Sequence, residues 1–337
     1  MRQFVLVILI CLQPILSIGQ QKTYFEPNNG NPIIPGFFAD PSVVKIDGTY
    51  YIYATTVSKY MEPLVWYSKD LKNWKVKHLG ITGKHLLWAP SVIKGKNDKI
   101  YLYYSSGFDF KCHLMIGETP FGPWEDAGIV EEGFDLQIFE DPSTGKIYGF
   151  SSDPQSRPRA VEFNNDPSSL GYLKQTIREE SVEGPFFDYT EGSLVYYRKG
   201  KYYLMYSGGK CGDVTYNIRY AVSDNVWGPY QDAPNNPILK KNKENHVYGP
   251  GHHSVFEVDG QTYMAYHRQD FYNYPTCSER QVCIDKLEFD DNGRIIKVLP
   301  THKGVDFGLT GNRERNNIAL GKPVTSSGNA KGFEPEF

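Results

Sequence analysis

The chain has 337 residues, a formal net charge of −3 and an aromatic content of 15%, with 25 Tyr. That length can bury the core of one large propeller or of two ordinary domains. The charge supplies no basic field for nucleic acid, and nothing beyond a short N-terminal run is apolar enough for a membrane.

Met1-Arg2-Gln3 is positively charged, Phe4 to Leu12 is apolar, and Ser17-Ile18-Gly19 offers small residues before a cut. Residues 1–19 therefore read as a signal peptide cleaved after Gly19, and the mature protein is expected to be secreted or periplasmic. Cys11 follows Ile10 and lacks the small residue that precedes a lipid-bearing Cys. Four cysteines remain, Cys112, Cys211, Cys277 and Cys283, and export permits disulfides among them in three connectivities. Proximity favours Cys277 with Cys283; unpaired buried thiols are the alternative.

From Ala39 onward one pattern occurs five times: a small or polar residue, an apolar run, a turn, then an aromatic run ending in a polar group. The copies begin ADPSVVKIDGTYYIYATT at Ala39, WAPSVIKGKNDKIYLYYSS at Trp88, FDLQIFEDPSTGKIYGFSS at Phe134, TEGSLVYYRKGKYYLMYSGG at Thr190 and GHHSVFEVDGQTYMAYHR at Gly251. Each reads as a β-hairpin. The intervals, roughly 46 to 61 residues, suit four-stranded propeller blades.

The expected fold is all-β, a five-bladed β-propeller over residues 33–307. Its blades run from about 37 to 78, 87 to 130, 134 to 175, Thr190 onward, and 248 to 305. The turns Phe121-Gly122-Pro123-Trp124 and Trp227-Gly228-Pro229-Tyr230 mark the same register in blades two and four. Lys286 to Val298 reads as strand, turn, strand. No long helical period appears. Residues 308–337 depart from the pattern and read as a linker or the start of another module.

Aligned, the five hairpins open on Asp40, Ala89, Asp135, Glu191 and His252. Equivalent strands of a propeller line its channel, so three acids and a His would converge on one axis. Glycoside hydrolysis needs an acid on the leaving oxygen and a carboxylate on the opposite face of the ring. Asp40 is the expected ionised base. Glu191 is the expected acid, its proton held by partial burial and by the negative charge of Asp135. The competing Glu183-Gly184-Pro185 lies eight residues upstream, but Glu191 fits the hairpin register. Trp88 and Phe38 are candidate sugar-stacking residues, with blade packing as the alternative for each. His267 reads as structural.

The combination of Ala39-Asp40-Pro41, Trp88-Ala89-Pro90, Asp135 with Ile138-Phe139, Glu191-Gly192 before a Tyr-rich strand, and Gly249-Pro250-Gly251-His252 resembles the family 43 glycoside hydrolases. The resemblance implies a five-bladed propeller that hydrolyses arabinose- and xylose-containing glycans with inversion. It implies Asp40 as general base, Asp135 as pKa-tuning residue and Glu191 as general acid. Arg280 matches an Arg that reaches the active site in such proteins. His252 matches a His beside a water or a Ca²⁺, so a structural Ca²⁺ near the axis is an option although no cofactor is required.

Two motifs depart from the family pattern: Ser193 replaces the usual Pro after Glu191-Gly192, and Leu136 replaces the Pro after Asp135. Residues 317–337 resemble the opening of a discoidin-like carbohydrate-binding domain, cut short after one strand. The expected partner is a plant-type polysaccharide or oligosaccharide, acted on by a monomeric α-L-arabinofuranosidase or β-xylosidase. The alternatives are an endo-acting arabinanase or xylanase and a non-catalytic carbohydrate-binding propeller.

Overall fold

The apolar runs, rich in Tyr, Val and Ile, form antiparallel strands, and residues with positive φ close the hairpins. Asp47-Gly48, Lys199-Gly200 and Asp259-Gly260 all have positive φ at both positions, the backbone that a two-residue turn between twisted strands requires. The computed structural model describes residues 30–56, 62–81, 86–269, 277, 279–305 and 307. The expected signal peptide and the expected discoidin-like tail lie outside the described residues.

Five sheets are present among these residues. The first contains β1 (Phe38–Ile46), β2 (Thr49–Thr56), β3 (Leu64–Ser68) and β4 (Lys75–His78). The second contains β5 (Leu87–Lys94), β6 (Ile100–Ser106), β7 (Cys112–Gly117) and β8 (Trp124–Glu131). The third contains β9 (Phe134–Glu140), β10 (Ile147–Ser152), β11 (Pro158–Phe163) and β12 (Thr176–Ser181). The fourth contains β13 (Tyr189–Arg198), β14 (Lys201–Gly208), β15 (Asn217–Ser223) and β16 (Gln231–Asp232). The fifth contains β17 (Tyr248–Val258), β18 (Gln261–Gln269) and β19 (Gln281–Lys286).

The first strands of the sheets touch in the cyclic order β1, β5, β9, β13, β17 and back to β1. That ring makes the fold an all-β, five-bladed propeller. Blade three extends past the expected limit of residue 175, because β12 begins at Thr176. The expected hairpin after Lys286 reduces to a single bridge between Phe289 and Ile295 around the Asp290–Gly293 turn.

The core lies between blades. Five apolar clusters correspond to the five interfaces, from Tyr53 and Tyr104 between blades one and two to Ile52 and Val282 between blades five and one. Burial falls from axis to rim: β2 and β6 are almost wholly buried, whereas all of β4 is exposed. The outer strands carry Lys, Arg and Glu, which suits an edge that must not pair with another chain.

Blade five closes the ring without a covalent joint. Residues 30–34 run beside β19, with Ile33 N–H donating to Val282 O (2.8 Å). Asn31 Oδ1 accepts from Ile284 N–H (2.8 Å) while its amide donates to Ile284 O and Thr301 O. Gly30 N–H reaches Lys303 O (2.8 Å), so the first and last described segments hold each other.

The pairing expected for Cys277 and Cys283 is corrected: Cys277 is bonded to Cys211. Cys283 lies on β19 inside the interface between blades four and five, and it and the likewise buried Cys112 are thiols outside the disulfide. Sequence proximity fails because the strand commits the Cys283 side chain to the core, while Cys277 lies off the sheet.

Candidate active site

At one end of the propeller axis the inner strands open onto a cavity of about 400 Å³. Each inner strand begins with a bulge against its neighbour, after Ala39, Trp88, Glu191 and Gly251, with the matching irregularity opposite Phe134. The bulged residue has positive φ: Asp40 (50°), Ala89 (44°), Asp135 (58°), Gly192 (66°) and His252 (38°). This corrects the alignment of blade four. Gly192 is the equivalent of Asp40, and Glu191 stands one residue earlier, in register with Ala39, Trp88, Phe134 and Gly251. The shift is invisible in sequence because a bulge adds a residue without changing the alternation on either side.

A bulge re-aims side chains and frees backbone groups. The freed N–H groups are taken by the preceding blade. Ala89 N–H donates to Thr55 Oγ1 (2.7 Å), Asp135 N–H to Ser105 Oγ (2.6 Å) and His252 N–H to Ser207 Oγ (2.9 Å). Asp40 N–H faces His267 Nδ1 at 3.3 Å. These partners are the polar residues that end the aromatic runs, so the signal was present in the repeat. His267, expected to be structural, belongs to this set and also touches a carboxylate.

Asp40 is 5% exposed and held on several sides. Oδ1 lies 2.8 Å from Arg280 Nη1 and 3.0 Å from His267 Nδ1, and Oδ2 accepts from Thr55 Oγ1 at 2.6 Å. Burial alone would raise this carboxyl. The Arg280 guanidinium, then His252 and His267, outweigh burial and hold it well below the usual carboxylate range. Burial, with the Arg280 charge behind it, pushes His267 down to about 4. At neutral pH Asp40 is therefore a carboxylate beside a neutral imidazole.

Asp135 has the opposite environment. Ser105 Oγ donates to its Oδ1 (3.1 Å), and no cation of Arg or Lys type touches it among the described contacts. Burial, then the charges of Glu191 and Asp40, push it up to about 7 against the pull of His252. Glu191 is half-buried and accepts a 2.6 Å hydrogen bond at Oε1 from the Tyr216 hydroxyl. Burial and the nearby carboxylates keep that phenol a neutral donor.

His252 sits between the acids, with Nδ1 3.5 Å from Asp40 Oδ1 and 3.7 Å from Asp135 Oδ2. Asp135, Glu191 and His252 bring one donor atom each within 4.8 Å of one another. The two carboxylates offer oxygen ligands of the kind Ca²⁺ takes, the imidazole does not, and water would have to complete a shell of six to eight; a structural calcium at this group stays a proposal.

Of the expected sugar-contacting residues, Trp88, His252 and Arg280 line the cavity. Trp88 meets Phe110 edge-on with centroids 5.8 Å apart. Phe38 does not line it: its ring is buried against Trp66 and the apolar wall shared with blade five. Glu183 is exposed and away from the cavity, whereas Glu191 lines it. Phe110, Phe134 and the Cys211–Cys277 disulfide complete the wall. Phe134 opens the third repeat but has no site role in the sequence reading, and Phe110 and Cys211 sit in loops and carry no motif.

Residues 29–295 match the family model described as Glycosyl hydrolases family 43. A protein of Aspergillus niger described as beta-D-galactofuranosidase xynD is 32% identical over 310 residues, covering 82% of this chain and 87% of that protein. Xylosidase/arabinosidase 43B of Humicola insolens is 29% identical over 71% of this chain, which spans about half (49%) of that relative. A crystal structure described as a thermostable family-43 glycoside hydrolase has a TM-score of 0.65 at 28% identity, over 80% of this chain and 95% of its own.

Proposed function

Because this chain belongs to glycosyl hydrolase family 43, we propose that it is an inverting, exo-acting glycosidase on arabinose- or xylose-containing plant glycans. The leading activities are α-L-arabinofuranosidase and β-xylosidase. In this reading the Asp40 carboxylate draws a proton from water on one face of the sugar. The Asp135–Glu191 pair brings one proton to the other face, and Glu191 delivers it to the leaving oxygen. Asp135 orients Glu191 and keeps the proton on the pair. His252 and Arg280 bind the sugar or the attacking water, and Trp88 offers an apolar face for the ring.

The observation that carries this reading is the opposed environments of two acids in one cavity. Asp40 is buried but clamped by the Arg280 guanidinium; Asp135 is buried without such a clamp. Pairs whose surroundings push their pKa values apart are how acid and base roles are divided. The cavity's size, about 400 Å³, suits a terminal sugar more than a polymer lying across an open groove. The names of relatives acting on furanosides and xylosides support the substrate class. Residues 1–19 support export, to be checked by finding Gln20 at the N-terminus of the secreted protein.

The test is release of nitrophenol from the α-L-arabinofuranoside, the β-D-xylopyranoside and the β-D-galactofuranoside, with the product anomer followed by NMR. Turnover that inverts the anomeric centre, falls at least about 10³-fold in Asp40→Ala, and survives in Glu191→Gln only on activated leaving groups is expected. Retention of configuration, or full Asp40→Ala activity, sinks the assignment. Activity on polymer alone points to endo action.

A further inference from the structure

Cys211 follows β14 in blade four, and Cys277 lies between β18 and β19 in blade five, 66 residues further on. Both line the cavity. Arg280, three residues past Cys277, donates from Nε to the Cys277 carbonyl oxygen (2.7 Å) and from Nη1 to Asp40 Oδ1 (2.8 Å). One guanidinium therefore spans a disulfide-bonded residue and the carboxylate assigned as base. Neither Cys277 nor Arg280 lies on a strand, so no sheet ladder holds that carbonyl in place. A long Arg side chain in a loop has considerable rotamer freedom to lose. Here the cross-link to Cys211, in the turn that follows β14 of blade four, ties that loop to a second blade.

We propose that the Cys211–Cys277 disulfide is a positioning device for catalysis: it fixes the Cys277 carbonyl, which aims Arg280 at Asp40. The proposal rests on the reading of Asp40 as the catalytic base. Asp40 is also faced by Thr55 from β2, His252 from β17, His267 from β18, the Tyr216 phenol and, across the axis, Asp135 from β9, which Glu191 from β13 adjoins. Without the cross-link these neighbours stay in place and only the Arg280 contact loosens. The loss is then expected at the chemical step, with stability affected separately.

The experiment is a cycle on a hydrolysed aryl glycoside. Cys211→Ala/Cys277→Ala is placed in the native background and in Arg280→Ala, and kcat, KM, the pH profile and Tm are recorded for each. In the native background kcat is expected to fall about tenfold or more, with the acid limb of kcat/KM moving to higher pH. In the Arg280→Ala background the same change is expected to cost less than about twofold, because the groups act as one unit. Equal losses in both backgrounds, or a lower Tm with kcat and the acid limb unchanged, overturn the proposal and leave the disulfide a staple. If the double Cys variant does not fold, a phosphine reductant applied to the folded wild type and to Arg280→Ala gives the same comparison. No turnover by the wild type removes the glycosidase reading and the proposal together; turnover with equal losses removes the proposal alone.

Discussion

Asp40 and Asp135 are both buried at bulged, positive-φ positions on the same axis, and only their contacts separate them. A guanidinium and two imidazoles beside Asp40 favour its charge. Burial and like charge around Asp135 oppose its own. Activity needs Asp40 ionised, which is lost only as pH falls through its depressed pKa. It also needs Asp135 protonated beside Glu191, a state lost as pH rises through about 7. A kcat/KM profile flat well into the acid range and declining near neutrality is the expected result. Stability has a corresponding signature. The Asp135 pKa is raised above its unfolded value of about 3.9, so the folded state carries no penalty below that value. It loses stability progressively as pH rises from there to about 7. Asp135→Asn is therefore expected to be more stable than wild type at pH 8 and indistinguishable from it near pH 3, in paired thermal melts, while turnover falls. Wild-type stability at pH 8 equal to that of the variant would contradict the unfavourable burial of this charge.

The element that does most for the site is the bulge at the head of each inner strand. In blades one, two, three and five the bulged residue offers its N–H to the previous blade, and Asp40, Asp135 and His252 turn their side chains into the cavity. In blade four the bulged residue is Gly192, so the carboxylate stands one step earlier. A Cβ on Gly192 would lie 3.2 Å from Ser207 Oγ and 3.3 Å from the His252 ring, at a φ of 66°. Gly192→Ala is expected to cost about 1–3 kcal/mol of stability, read by urea titration, and to lower kcat by displacing Glu191. Gly251 has a related role: a Cβ there would collide with the Tyr216 ring. Its bare backbone lets that ring stack on His267, 5.5 Å and 9° away, and reach Glu191. The hairpins, their turns and the polar strand ends were legible from composition and period. The one-residue slip at Glu191 was not, since a bulge preserves the flanking pattern that reveals a strand. Phe38 shows the same limit, because an aromatic before a bulge can face either the axis or the wall.

At the scale of the molecule, ring closure depends on residues 30–34 meeting β19 and the 301–303 segment. Asn31 is 1% exposed and its side chain bonds Ile284, Asp285 and Thr301. Asn31→Ala is expected to remove about 2 kcal/mol or more, since it strands buried backbone groups. The midpoint of urea unfolding should drop, and hydrogen exchange should rise first in β19 and β1. An unchanged midpoint would show that the ring does not depend on this contact. The sequence by itself determined the class of fold, the number of blades and which acids meet, because alternation, turn chemistry and a repeated interval are local properties that survive in any all-β packing. Only the tertiary structure decided which acid is charged, how Cys277 is paired, where Phe38 points and what holds Arg280. Each of those depends on groups from different blades approaching within a few ångströms, and interactions at that range are set by the closed ring rather than by neighbours along the chain.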